Sequence, residues 1–146
     1  QQGVRLRVIG EREQFADDLQ QMMADCEALT AQNTRLNLSV AVNFGGRWDI
    51  VNAAKQLAQQ AVNGDLTVED INEDRFSGAL SLQGLPEPDL LIRTGGDYRI
   101  SNFLLWDLAY TELYFTEAFW PDFDSAALQD AVATYARRGR RFGRRK

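Results

Sequence analysis

The chain has 146 residues, one cysteine, no histidine, and 21 acidic against 16 basic residues, a formal charge of −5. With no histidine it has no Ser-His-Asp or Cys-His machinery and no histidine-containing zinc site, and the lone Cys26 cannot close an intramolecular disulfide, which fits a reducing, intracellular setting. Chemistry must then run on carboxylates, arginines, hydroxyls and backbone amides, with or without a hard metal ion.

The length suits one domain with a real core, and 45% apolar with 25% charged residues is ordinary globular composition. No apolar run approaches the ~18 residues of a membrane span, and the start does not read as a signal peptide. Gln1-Gln2-Gly3 leads almost at once into a strand pattern, which reads as a portion cut from a longer protein.

Val4 to Ile9 alternates apolar and polar residues, as a half-covered strand does, and Gly10 ends it. Phe15, Leu19, Met22, Cys26 and Leu29 then recur at steps of four and three, predicting a helix whose apolar stripe packs in the core. Leu36, Leu38, Val40 and Val42 alternate again and predict a second strand. Gly45-Gly46 turns the chain into a helix over about 47–62, with Val51, Ala54, Leu57 (or Ala58) and Ala61 inward, and Asn63-Gly64 stops it. Thr67 to Asp70 has the Ser/Thr-x-x-acid form of a short helix start.

Residues 78–88 read as an irregular connection, broken by Gly84, Pro86 and Pro88. Leu90-Leu91-Ile92 is a short apolar run of the kind buried on both faces of a parallel sheet. Ser101 to Tyr110 reads as helical, Leu113 to Phe115 as a strand, and Ser125 to Arg138 as a closing helix with Leu128, Val132 and Tyr135 on one side. Strands alternating with helices predict an α/β domain with a mainly parallel sheet flanked by helices. About four strands is few for that architecture, so the sheet is expected to be incomplete, its N-terminal strands absent from this stretch. Residues 137–146 hold seven basic residues and no acidic one, leaving an acidic body that is a poor general nucleic-acid binder. The tail is either a solvated charged end or an anion-seeking arm.

In parallel sheets ligands sit beyond the carboxyl ends of strands. Two segments have that context. In Asp89 to Asn102 a buried strand ends at Arg93, Thr94-Gly95-Gly96 makes a turn whose amides could face an anion, and Ser101 is placed to cap a following helix. Arg93 and Arg99 add planar forks suited to phosphate, and Ser101 a hydroxyl donor: together a diphosphate cradle. Alternatively Arg93 pairs with Asp89 or Asp97 and Ser101 is only a cap; spacing leaves both open. The second segment, Asn43-Phe-Gly-Gly-Arg-Trp-Asp49, reads by itself as a turn, with Asp49 near a helix start and Trp48 in the core. Glu112 is a surface carboxylate or, near a polyphosphate, a magnesium ligand.

The run Pro88 to Trp106, continued by Ala109-Tyr-x-Glu-Leu-Tyr-Phe115 and Trp120-Pro-Asp-Phe123, closely resembles the cis-prenyltransferase family, in particular its bacterial undecaprenyl diphosphate synthases. Glu27-Ala-Leu-Thr-x-x-Asn33 and Asn43 to Asp49 fit as well, so the resemblance covers essentially the whole chain. It implies successive condensation of isopentenyl diphosphate onto an allylic diphosphate such as farnesyl diphosphate, with Mg²⁺, in a cytoplasmic homodimer that can associate peripherally with the membrane. On the matching positions, Arg93, Arg99, Ile100 and Ser101 correspond to isopentenyl diphosphate binders, and Glu112 to a metal-associated carboxylate. Arg141 and Gly143 correspond to an Arg-x-Gly element that reaches diphosphate across the dimer. Asn43, Gly46, Arg47 and Asp97 are further candidates from the matching motifs. The family's Asp-Gly-Asn-Gly-Arg-Trp-type motif, with its catalytic aspartate, has no counterpart here, so the chain reads as the C-terminal portion of a single domain, inactive alone. Asp97 stands where Glu is usual, and Tyr98 where some members carry His. Two alternatives stand beside this: a non-catalytic partner subunit of a cis-prenyltransferase, and an unrelated phosphate-binding α/β module.

Overall fold

Alternating patterns become real elements in the computed structural model, which describes residues 3–138. In chain order they are β1 (Val4–Ile9), α1 (Asp17–Thr30), β2 (Leu36–Ala41), α2 (Gly46–Asn63), α3 (Glu73–Ser77), β3 (Leu90–Arg93), β4 (Glu112–Phe115) and α4 (Ser125–Arg137). The chain divides into two compact units between Gly84 and Leu85. In the first, β1 and β2 run parallel, from Val4 opposite Leu36 to Ile9 opposite Ala41. In the second, β3 and β4 run parallel, from Leu90 opposite Glu112 to Arg93 opposite Phe115. Helix α1 lies against β1, and α4 against β4. The α/β class with parallel strands is therefore as expected, although the described strands form two separate pairs rather than one sheet.

The core of the first unit gathers Val8, Ile9, Ala53, Leu57, Leu66 and Leu80. Among its buried residues stands one charge, Asp49 in the first turn of α2. Its carboxylate accepts hydrogen bonds from the Ser81 amide (3.1 and 3.3 Å) and from Ser81 Oγ (2.7 Å), which makes burial tolerable. The buried stripe of α2 is accordingly Gly46, Asp49, Ala53 and Leu57, while Val51 and Ala54 are exposed, contrary to the pattern expected from apolar residues alone. A satisfied polar residue took an inward position that hydropathy assigns outward.

Helix α1 forms where predicted, but none of its residues is buried, and Met22 and Leu29 are 61% and 84% exposed. Its expected core stripe is not core. The helix is held instead by polar groups spaced three apart, which reach the edge of β1 that faces away from β2. Asn33 Nδ2 donates to the Val4 carbonyl (2.7 Å), the Leu6 amide to Thr30 Oγ1 (3.0 Å), and the Val8 amide to Glu27 Oε1 (2.6 Å). Side chains thus occupy backbone groups that a further strand would take.

Thr67 opens a single 3₁₀ turn, Val68–Asp70, and Asp70 accepts from both the Thr67 amide (2.7 Å) and hydroxyl (2.8 Å). The larger departure is at 101–110, expected to be helical. Ser101, Asn102 and Leu104 have φ of 46°, 62° and 42°, and the segment is a series of turns. Three left-handed residues within four positions are incompatible with an α-helix. In α4 the buried residue is Ala131, whereas Leu128 and Val132 are exposed. No described helix is long and apolar enough to cross a membrane.

Candidate functional site

Strand β3 delivers Arg93 at its carboxyl end, as its apolar run and the following glycines predict. Beyond it the chain turns sharply, with Gly95 and Gly96 at φ of 87° and 76°. Their amides do not face open space. Gly95 donates to the Ala118 carbonyl (2.8 Å) and Gly96 to that of Thr116 (3.0 Å), because the segment after β4 keeps running alongside. A β-carbon on Gly96 would come within 2.9 Å of Glu117 Oε2, so a glycine is what admits that carboxylate. The expected backbone nest for an anion is therefore spent on structure, and no helix N-terminus follows to add amides.

What remains is a cluster of side chains. Arg93 donates to Asp97 Oδ2 (2.8 Å) and Ser101 Oγ (2.8 Å), and also to the Arg99 carbonyl. Arg99 donates to the same Asp97 oxygen (2.7 Å) and to Ser101 Oγ (3.2 Å). Of the two acidic partners that spacing left open to Arg93, the structure supplies Asp97. Ser101 caps nothing; it accepts from both arginines. Two guanidiniums converge on one carboxylate and one hydroxyl, leaving a net positive charge. Ile100 lies within this loop, half-buried, and its carbonyl accepts from the Phe103 amide (3.1 Å).

Sequence reasoning missed the second layer. Tyr98 Oη donates to Glu117 Oε1 (2.9 Å), and the Tyr98 ring sits 5.4 Å from that of Phe115. The Glu117 hydrogen bond, with its charge, raises the Tyr98 hydroxyl above its ordinary pKa. The one available signal was the glycine at 96, which left room for a side chain from elsewhere.

Glu112 begins β4, opposite Leu90, and so stands at the far end of the strand pair from Arg93. Arg138 lies 3.5 Å from its carboxylate and donates to the Leu113 carbonyl (2.8 Å). Among the described residues no group of three or more His, Cys, Asp or Glu side chains could hold a metal ion. Alone, Glu112 offers Mg²⁺ one hard oxygen ligand; it does not build a metal centre.

The other candidates lie in the first unit. Asn43 follows β2 at φ 42°, Gly46 is the buried first residue of α2, and Arg47 is exposed beside it. Trp48 is half-buried, its ring 6.2 Å from Phe44 in an edge contact. Arg141 and Gly143 lie outside the described residues.

This α/β scaffold of parallel strands carries two cationic forks at a strand's carboxyl end, the place where proteins built on parallel sheets bind their ligands. A family model, Prenyltransf, described as "Putative undecaprenyl diphosphate synthase", matches residues 1–143. The ditrans,polycis-undecaprenyl-diphosphate synthase of Pseudomonas aeruginosa is 54% identical over 97% of this chain and 57% of its own length. The enzyme of the same name from Legionella pneumophila (strain Paris) is 53% identical over 98% of this chain and 60% of its own. Lavandulyl diphosphate synthase of Lavandula x intermedia, solved with dimethylallyl diphosphate, superposes with a TM-score of 0.94 at 41% identity. That match covers 99% of this chain and 62% of the lavender chain. The chain belongs to the cis-prenyltransferase family. It spans under two thirds of the length of these relatives.

Proposed function

We propose that the full-length protein condenses isopentenyl diphosphate repeatedly onto an allylic diphosphate such as farnesyl diphosphate, yielding undecaprenyl diphosphate. In this proposal the Arg93–Arg99–Ser101 cluster binds the diphosphate of the isopentenyl substrate. The observation that carries it is the convergence of two arginine forks on a single anionic oxygen, Asp97 Oδ2, with the Ser101 hydroxyl held beside them as a shared acceptor, the arrangement an incoming phosphate oxygen would meet. Guanidinium pairs bind phosphate bidentately, and this one is already assembled. Holding the diphosphate fixes the attacking alkene relative to the allylic carbon, which lowers the entropic part of the barrier. Charge grows on oxygen as the allylic diphosphate leaves, and preorganised cationic groups favour that transition state.

Mg²⁺, when bound, would supply Lewis-acid neutralisation of diphosphate charge, and Glu112 is the carboxylate of this chain that would give it a ligand. Residues 141 and 143 are assigned to diphosphate across a homodimer. Within this chain, which has no histidine, these anion and metal roles fall to carboxylate, guanidinium and hydroxyl groups, in what we infer is a cytoplasmic enzyme working beside the membrane.

Titration of the full-length protein with isopentenyl diphosphate tests the reading. Saturable binding that weakens steeply in Arg93→Ala supports it; binding indistinguishable from that variant removes the cradle. An assay with labelled isopentenyl diphosphate separates an enzyme, which elongates farnesyl diphosphate alone, from a partner subunit, which requires a second protein.

A further inference from the structure

Strand β1 ends where Gly10 takes φ +111°, and there a β-carbon would lie 1.9 Å from the Val42 carbonyl oxygen. The bare backbone lets the chain cross the end of β2 at contact distance. The next residue, Glu11, consequently faces Asn43 along its whole length. The Glu11 amide donates to the Asn43 carbonyl (3.3 Å), and Asn43 Nδ2 donates to the Glu11 carboxylate (3.2 Å). Asn43 makes this contact from a left-handed conformation, φ 42°, which asparagine adopts more readily than most residues other than glycine.

Glu11 is itself anchored. Gln14 Nε2 donates to the same carboxylate oxygen (2.8 Å). The neighbouring Arg12 grips both oxygens of Glu27, Nη1 to Oε2 and Nη2 to Oε1, each at 2.7 Å, and also donates to the Val8 carbonyl. Glu27 accepts in turn from the Val8 amide (2.6 Å). The turn after β1 is clamped to both β1 and α1, and a clamped turn presents a fixed carboxylate to Asn43.

From this geometry we propose that Glu11 is a positioning residue for the reaction: it sets the rotamer and backbone of Asn43 and so the turn that leads into α2. The inference rests on the proposed function and adds to it that Asn43, a candidate from the motif shared with the family, contacts substrate. Glu11 acts through Asn43 and touches no substrate itself.

The test is made in the full-length protein with farnesyl and isopentenyl diphosphates, recording kcat, both KM values and Tm. Glu11→Met keeps the side-chain length and removes the acceptor. It is expected to lower kcat/KM by about tenfold, below the roughly hundredfold loss that a misplacement near 1 Å can cause. Glu11→Gln, whose amide oxygen still accepts from Asn43, should recover most of that loss. The Glu11→Met/Asn43→Ala double variant should be no worse than Asn43→Ala, since both remove one function. Should Glu11→Met fail to fold, Glu11→Ala and the Gln variant answer the same question. A Glu11 variant that lowers only Tm, or whose kinetic loss adds to that of Asn43→Ala, overturns the inference. If Asn43→Ala has wild-type kinetics, the substrate role of Asn43 fails and this inference with it; if Asn43→Ala is impaired while Glu11→Met is not, only the inference fails.

Discussion

Arg93 shows how much one side chain can organise. Its fork reaches Asp97, Ser101 and a backbone carbonyl at once, a geometry that a lysine ammonium cannot reproduce. In the full-length protein Arg93→Ala is expected to raise KM for isopentenyl diphosphate roughly ten- to hundredfold, the range of ~1.5–3 kcal/mol for a charge-assisted contact. Arg93→Lys should recover only part of it; unchanged steady-state constants in Arg93→Ala would remove Arg93 from the site. Tyr98 offers a spectroscopic check of the second layer. Its hydroxyl donates to Glu117, which raises its pKa above the ordinary value of 10.0, and Tyr114 is raised likewise by Asp130. The Tyr98 bond stabilises the fold below that ordinary pKa and is lost as pH rises through the elevated one. In an ultraviolet titration of the four tyrosines, Tyr98→Phe should therefore delete a late-ionising component, and loss of an ordinary one instead would contradict the bond.

At the scale of elements, the β1–α1 connection has little room for change. Gly10→Ala combines a left-handed backbone with a collision against the Val42 carbonyl, which cannot swing away as a side chain tip would. Backbone strain of this kind costs about 1–3 kcal/mol before the collision is counted. The urea midpoint should fall correspondingly, and a midpoint equal to wild type would mean the strand ends do not approach as described. Glu27 gives the same region a pH signature. Its hydrogen bonds from Arg12, offset in part by burial and joined by the Val8 amide, hold its pKa below the ordinary 4.5. A lowered folded pKa means stability that is present above about pH 4.5 and is lost as pH falls through the folded value. Between pH 6 and 3, roughly the window of carboxylate titration, Tm should therefore drop less in Glu27→Gln than in wild type. Parallel Tm curves for the two proteins would show that the carboxylate is not engaged.

For the whole molecule, the exposed apolar residues bear on what the chain can do by itself. Leu36, Leu38 and Val40 on β2 and Met22 and Leu29 on α1 stand open among the described residues. Exposed apolar groups in such number mark surfaces that are covered in a larger assembly, or that make a chain aggregation-prone. We expect the 146-residue chain alone to form no polyprenyl product, since its described residues supply one cationic cradle and no cluster of carboxylates for a metal. Product from a clean preparation, detected with labelled isopentenyl diphosphate, would overturn this.

The sequence by itself determined the strands and the three longer helices, because alternation and helical spacing are local: β1 begins at Val4 and ends at Ile9, as read, and β3 ends at Arg93. It also determined the family, through the long run from Pro88 to Trp106. Only the tertiary structure decided what the apolar stripe of α1 meets, that Asp49 is an inward residue of α2, and that 101–110 is a chain of turns. It likewise turned the Gly95-Gly96 amides toward 116–118 and left the cradle to side chains alone. Periodicity reports which face of an element is apolar, but burial depends on what packs there. Which backbone groups stay free for a ligand is decided by partners distant in the chain.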